Sequence, residues 1–362
     1  MAGKRVVEKG SVSRKNKKKK NSKLKVFGRV LLLIALVLVV VLGIVAGVGA
    51  WYVGDKLGKL NYVDINEENI EINEQVEEKL TGYRTIAIFG VDSRSNKLET
   101  ATRSDCIILA TINEKTKEVT LTSVYRDTYL EIPGKGLDKI THAYSYGGAE
   151  LALSTLNTNL DLNIKEFVTV NFNSVVDIVD AVGGVSIQIT NGELQYINEY
   201  IDEINRVTKH KSQHITKAGK QKLDGVQALA YGRIRYTAGG DYKRTERMRD
   251  IMMAVVEKVK KMNITQLNKL ADKVLPIVYT NISSGEILSL IPQVASYKIA
   301  DSTGWPYKTE GKTINGVWYG PPITLESNVK ELHQKVYGQV DYEPSNKVKE
   351  ISDKIVKKTG LK

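Results

Sequence analysis

The stretch YGRIRYTAGGDYKRTERMRD, Tyr231–Asp250, carries five arginines and one lysine in twenty residues. Guanidinium groups stay charged and present a planar fork of donors, so several of them converging on one point suit a phosphate or a diphosphate. From Asp241, an expected N-cap, helical spacing puts Met248, Ile251, Met252, Val255, Val256 and Val259 in one apolar stripe. On that wheel Arg244 falls inside the stripe, and Arg247 and Arg249 fall at its two margins. An arginine pointing inward from a first turn either pairs with a carboxylate or meets an anion, and a helix N-terminus favours the anion through its free N–H groups and dipole. If RIRY is extended, Arg233 and Arg235 project from one face, about 7 Å apart. The competing reading is a solvated basic patch paired with local acids.

Other charged residues sit at expected strand ends. GVDSRS puts Asp92 and Arg94 after one apolar run, TRSDCIIL puts Arg103 and Asp105 before the next, and SVYRDTY places Arg126 and Asp127 after a third. In α/β sheets ligands gather near strand carboxyl ends. If the first two strands are antiparallel neighbours joined by Ser93–Ser104, Asp92 and Asp105 meet at one end of the sheet. Two carboxylates beside several arginines are what a divalent cation with a diphosphate requires: hard oxygen ligands for the metal, cationic forks for the remaining charge. His210 and His214 are spaced i, i+4 but have no third partner in the sequence to complete a metal site.

The elements that must position these side chains alternate. YRTIAIFGVD, DCIILATINE and EVTLTSVYRD are β-branched runs bounded by polar or turn residues, each fitting a strand. THAYSYGGAELALSTLNTNL has helical spacing, EFVTVNF returns to a strand, SVVDIVDAVGG is a helix ending in glycines, and VSIQIT is again a strand. Such alternation predicts an α/β layer fold around a mixed central sheet. The polar segment Asn191–Leu223 reads as an excursion or lid. STGWPYKTEGKTINGVWYGPPI reads as a hairpin-and-loop segment, closed by a last helix around Glu326–Tyr337.

The net charge of +12 resides almost wholly in residues 1–30, which hold twelve Lys or Arg against the single acid Glu8. Nucleic acid is therefore not implied by the basic balance of the chain. Leu31–Val53 follows with twenty-three uncharged residues, ~34 Å as a helix and enough to cross a bilayer core of about 30 Å. The basic residues before it predict a cytoplasmic amino end and an external remainder, a single-pass cell-membrane protein of Gram-positive type. A lone cysteine, Cys106, cannot form an internal disulfide, so the external part must rest on its core.

GVDSR, RSDCIILATIN, LTSVYRDTYLEIPGKGLDKITHAY, VNFNSVVDIVDAVGGV, LDGVQALAYGRIRY and GDYKRTER occur in this order. Together they resemble the LytR-CpsA-Psr family of membrane-anchored cell-wall enzymes. The resemblance implies a three-layer α/β/α fold with a mixed central sheet, a groove for a polyprenyl chain, and an arginine-lined mouth for its diphosphate. The implied order is a basic tail (1–30), a transmembrane helix (31–53), a polar connector (54–80), an external catalytic domain (81–340) and a C-terminal tail (341–362). It further implies a phosphotransferase that moves a phosphate-linked glycopolymer, of teichoic acid or capsular type, from an undecaprenyl-diphosphate carrier to peptidoglycan. Asp92 and Asp105 match the family's Mg²⁺ (or Mn²⁺) carboxylates, and Arg103, Arg126, Arg233, Arg235 and Arg244 its diphosphate-binding arginines. Arg247 is a further match, and Lys139 lies in the matching DKI segment beside the catalytic set of Asp92, Asp105 and Arg126. Tyr125, Thr141, Cys106 and Met248 stand where the family commonly has Pro, Asn, Thr and Gln. Transcriptional regulation, a non-catalytic polyprenyl-diphosphate-binding role and a diphosphate hydrolase are the alternatives; the expected orientation sets the first aside, because the arginines would lie across the membrane from DNA.

Overall fold

β-Branched alternation accounts for the centre of the structure. The computed structural model describes residues 61–91, 102–208, 210–283, 285–287 and 296–362. All of them belong to one unit, Lys59–Lys362. The expected basic tail, the membrane helix and the loop with Asp92 and Arg94 lie outside the described residues. Among the described residues no helix is long and apolar enough to cross a membrane.

The chain runs through β1 (Asn61–Tyr62), α1 (Glu74–Lys79), β2 (Tyr83–Val91), β3 (Ser104–Asn113), β4 (Glu118–Val124), β5 (Tyr129–Ile132), β6 (Gly136–Lys139) and α2 (Ile140–Leu160). It continues with β7 (Glu166–Asn171), α3 (Phe172–Ala181), β8 (Val185–Ile189), α4 (Asn191–Thr208), β9 (Gly219–Leu223), α5 (Gly225–Arg233), α6 (Gly240–Val259) and α7 (Ile264–Val274). Last come β10 (Tyr279–Thr280), β11 (Lys298–Trp305), β12 (Lys312–Ile314), β13 (Val317–Tyr319), α8 (Leu325–Tyr337) and α9 (Asn346–Thr359). Seven strands form the central sheet in the order β1-β10-β7-β2-β3-β4-β11. β2 is antiparallel to β3 and parallel to β7, and β11 is parallel to β4, so the sheet is mixed as the sequence predicts.

Strand periodicity of two sends alternate residues to opposite faces. Ala87, Phe89 and Val91 of β2 join α2, α8 and α9 in one buried cluster. On the other side α3, α4, α5 and α6 share a second cluster, including Val179, Ile197, Ile201, Leu229 and Ile251. Helices thus cover both faces of the sheet.

Several expectations change here. The polar stretch Asn191–Leu223 is not a lid: α4 buries Ile197, Ile201 and Ile204 at helical spacing, and β9 pairs antiparallel with β8. Its polar residues line the outward side of an amphipathic helix, which is why composition alone suggested an excursion or lid. RIRY is not extended, because Arg233 closes α5 and Ile234 caps it. The N-cap of α6 is Gly239, at φ 91°, in place of Asp241. STGW completes β11, and only KTINGVWY makes the hairpin; its turn takes Asn315 and Gly316, both at positive φ, as a two-residue turn of that twist requires. Residues 341–362, read as a tail, hold α9, whose Val348, Ile351 and Ile355 are fully buried. Residues of the expected connector, Ile70, Val76 and Leu80, enter the same cluster. The two segments also touch, since Lys79 Nζ lies 5.3 Å from the centre of the Tyr342 ring.

Candidate active site

Asp105, the second residue of β3, is the centre of the arginines. Arg126 Nη1 lies 2.7 Å from its Oδ1, and Arg235 Nη2 and Arg244 Nη1 each lie 4.0 Å from its Oδ2. Arg244 Nη2 also donates to the Asp105 carbonyl at 3.0 Å. Three guanidiniums around one carboxylate leave a net positive charge, with Asp105, Arg126 and Arg244 largely buried and Arg235 open to solvent, which favours an anion entering from that side.

Local hydrogen bonds fix this geometry. Arg126 and Asp127 sit in a turn after β4 that Thr128 closes, its backbone N–H and Oγ1 both donating to Tyr125 O. The first turn of α2 receives that loop, with Ile140 N donating to Thr128 O and Thr141 N to Arg126 O. Thr141 Oγ1 donates to Ser104 O at 3.0 Å, tying α2 to the residue before Asp105. Lys139 Nζ holds Asp127 Oδ1 at 2.9 Å, so Lys139 braces the turn that carries Arg126. Tyr125 packs edge-on against Tyr242, with ring centroids 4.4 Å apart. Its ring also covers Gly304, where an added Cβ would meet Tyr125 Oη at 2.0 Å.

Asp105, Arg233, Arg235 and Arg244 line a cavity of about 330 Å³, with Tyr200, Tyr236 and Thr245 in its walls. A second cavity, about 350 Å³, opens between the sheet and helices α3 and α6; Ile88, Ile108, Val168 and Val170 line one side, Val179 and Val255 the other. Cys106 and Met248 line both cavities. Met248 therefore stands where the polar chamber gives way to the apolar one, and its Sδ lies 2.9 Å from where a Cβ on Gly232 would be. A flexible apolar side chain thus forms the wall between them.

The structure brings together Asp105, Arg126, Arg235 and Arg244, with Arg233 in the same cavity. Arg103 is exposed beside Ser104, and Lys139 reaches the group through Asp127. Arg247 is elsewhere: only 2% exposed, it holds Glu193 Oε1 at 2.8 Å and donates to Ile234 O at 3.0 Å and to Thr237 Oγ1. It clamps the Arg233–Thr237 loop to α4. Burial alone would raise the Glu193 pKa, but hydrogen bonds from the Thr190 amide, Arg247 and the Thr190 hydroxyl hold it below the ordinary carboxylate value. The wheel margins mislead for Arg249 as well, which is 7% exposed and bonded to Ser302 Oγ at 2.8 Å. β11 packs over one margin of α6, and α4 and α5 over the other.

Sequence reading missed Tyr200, Tyr236, Glu193 and Glu203. Glu203 pairs with Arg233 at 3.1 Å, and the Arg233 guanidinium lies 5.7 Å from the Tyr200 ring centre. The available signal was the i, i+4 repeat of Tyr196 and Tyr200 beside the Ile197, Ile201, Ile204 series. Among the described residues no group of three or more His, Cys, Asp or Glu converges as a metal cage. Asp105 offers a hard oxygen donor, and Asp92 lies outside the described residues.

The polyisoprenyl-teichoic acid–peptidoglycan teichoic acid transferase TagU of Enterococcus faecalis is 33% identical over 237 residues, 64% of this chain and 71% of the relative. The transferase TagT of Bacillus subtilis is 32% identical over 233 residues, 63% of this chain and 70% of the relative. A solved structure described as TagT bound to LIIa-WTA superposes with a TM-score of 0.54 at 25% identity, covering 78% of this chain and 93% of that one. The model of the LytR_cpsA_psr family matches residues 55–335, and the chain belongs to that family.

Proposed function

We propose that this protein transfers a phosphate-linked glycopolymer of teichoic-acid type from an undecaprenyl-diphosphate carrier to peptidoglycan. One observation carries the reading: an arginine-lined chamber and an apolar chamber adjoin at Cys106 and Met248. A lipid diphosphate has the same division, a charged head joined to an apolar tail. The names of the relatives, teichoic acid transferases acting on peptidoglycan, support the same chemistry.

In this reading Arg126, Arg233, Arg235 and Arg244 hold the diphosphate, Arg103 meets it at the rim, and Lys139 keeps Arg126 in place through Asp127. An acceptor hydroxyl attacks the phosphorus that bears the polymer, the bond to the bridging oxygen breaks, and polyprenyl phosphate leaves. The hydroxyl proton passes to a carboxylate, for which Asp92 and Asp105 are the candidates. Fixed cations aimed at the oxygens where charge develops account for most of the rate. Mg²⁺, held by Asp105, Asp92 and phosphate oxygens, would offset further negative charge when bound. Residues 31–53 anchor the protein in the cell membrane with the Lys59–Lys362 unit outside.

The test is a reconstituted reaction of lipid-linked donor with peptidoglycan. Arg126→Ala, folded by circular dichroism, loses transfer by about 100-fold or more. Wild-type turnover by that variant overturns the site. Donor consumed by water alone would indicate a hydrolase, and donor bound without consumption a carrier protein.

A further inference from the structure

A second group of side chains lies one ion pair away from Arg126 and is used by none of the steps above. Helix α2 is broken after its seventh residue, where Gly147 (φ −153°, ψ 25°) and Gly148 (φ 65°, ψ −155°) leave helical geometry. The break sets off Ile140–Tyr146 as a separate turn. Its inward residues, Thr141 and Tyr144, are fully buried, while His142 and Tyr146, spaced i, i+4, point outward. Asp138 holds both: its Oδ2 accepts from the Tyr146 hydroxyl at 2.8 Å and lies 2.8 Å from His142 Nδ1. The Lys139 amide fixes the other oxygen, Oδ1, at 2.8 Å.

Tyr146 remains 48% exposed although its hydroxyl is tied down. Its ring lies 5.9 Å from that of His142, and Lys135 Nζ stands 5.8 Å from its centre. Tyr319 of the β12–β13 hairpin completes the surface, with its ring 5.5 Å from Lys139 Nζ. The hairpin is fastened to the catalytic turn, since Gly320 N donates to Asp127 O at 2.9 Å. The result is an oriented aromatic shoulder beside the arginines, edged by groups that both donate and accept hydrogen bonds.

The chemistry of this shoulder differs from that of the pocket. Its one carboxylate is taken up by the His142 ring, the Tyr146 hydroxyl and the Lys139 amide, and only single lysines stand at its edges, so it lacks the converging guanidiniums that suit a phosphate. A fixed exposed ring with hydrogen-bonding neighbours suits a ligand having an apolar C–H face and a rim of hydroxyls. We propose that Asp138, His142, Tyr146 and Tyr319 form the subsite for the acceptor glycan, the uncharged saccharide backbone of peptidoglycan. Tyr146 stacks on one sugar, and His142 Nε2 takes a hydroxyl hydrogen bond. This assignment rests on the transfer reaction proposed above, and it places the acceptor beside the start of α2, on residues other than the Tyr200 and Tyr236 that line the arginine cavity.

The test measures binding and transfer separately on the full-length protein in nanodiscs. Soluble glycan fragments released from peptidoglycan are titrated by calorimetry against wild type, Tyr146→Ala and Tyr146→Phe; polyprenyl diphosphate is titrated in parallel. Tyr146→Ala weakens fragment binding about fivefold, as loss of one aromatic contact implies, while Tyr146→Phe stays within about twofold of wild type. Both variants bind polyprenyl diphosphate as wild type does, and in the transfer assay Tyr146→Ala raises the acceptor KM with little change in kcat. Unchanged fragment affinity in Tyr146→Ala with a lowered Tm would mean a structural clip only and overturn the proposal. A poly(glycerol phosphate) probe whose binding depends on Tyr146 would overturn it too. Failure of wild type to transfer polymer, with Tyr146-dependent fragment binding intact, would instead refute the transfer reading and leave the glycan site standing.

Discussion

Replacing Arg247 by alanine separates two roles that the sequence leaves merged. If Arg247 held diphosphate, its loss would weaken donor binding and leave the fold intact. The structure makes it the buried partner of Glu193, itself only 6% exposed, and the clamp on Ile234 and Thr237. Removing one partner of such a pair strands the other charge away from water, at a cost of about 3–5 kcal/mol. For a domain of this size each kcal/mol moves Tm by roughly 2–4 °C, so Arg247→Ala should lower Tm by about 6–20 °C. Lys243, on the same helix, pairs with Glu246 at 2.6 Å with both side chains 45% exposed, and Lys243→Ala should cost less than about 1 kcal/mol. Thermal melts of Arg247→Ala, Glu193→Ala and the double variant complete the cycle. The double variant should be more stable than the sum of the singles implies, with coupling of at least about 1.5 kcal/mol. A Tm within about 2 °C of wild type together with lost donor binding would refute the clamp and restore Arg247 to the diphosphate.

Glu193 also gives a pH dependence. Its folded pKa lies below the unfolded value, so its contribution to stability is present above pH 4.5 and is lost as pH falls through the folded pKa. Glu193→Gln should be less stable than wild type at pH 7, and the gap should narrow on acidification below pH 4.5 in melts followed by circular dichroism. Gly304→Ala drives a methyl into the Tyr125 ring and should cost about 1–3 kcal/mol in denaturant unfolding, and much less when introduced into a Tyr125→Ala background. Val255→Trp fills the apolar cavity, and mass spectrometry of lipid extracted from the purified protein should show loss of polyprenyl species with Tm unchanged or raised. Polyprenyl lipid retained at wild-type level would place the tail elsewhere.

Legibility in the sequence followed the range of the interactions involved. The strands β2, β3 and β4 are local β-branched runs, and Arg244 is inward because a 3.6-residue period on its own helix puts it there. Asp105 joins Arg126, Arg235 and Arg244 across three separate segments, which ordered motifs suggested and only the sheet register fixes. Arg247 shows the opposite case: its partner Glu193 is 54 residues away on a segment whose surface-facing half hid its helical period. Arg233 and Arg235 reach the same cavity from a helix end and the loop after it, so an incorrect backbone conformation still led to a correct neighbourhood.

The contact of α9 and the residues around α1 within one core has a consequence for the order in which the protein comes into being. Val348, Ile351 and Ile355 emerge from the ribosome long after Ile70, Val76 and Leu80 and the whole sheet, yet these residues close the same cluster. Until they arrive, the part of the α2 surface that α9 covers stays open. The sheet can form early, but sealing waits for the late helix, so this unit reaches its native state as a whole and not in stages from its amino end. A chain interrupted near residue 340 would hold every arginine of the site and still present an open core to chaperones and proteases.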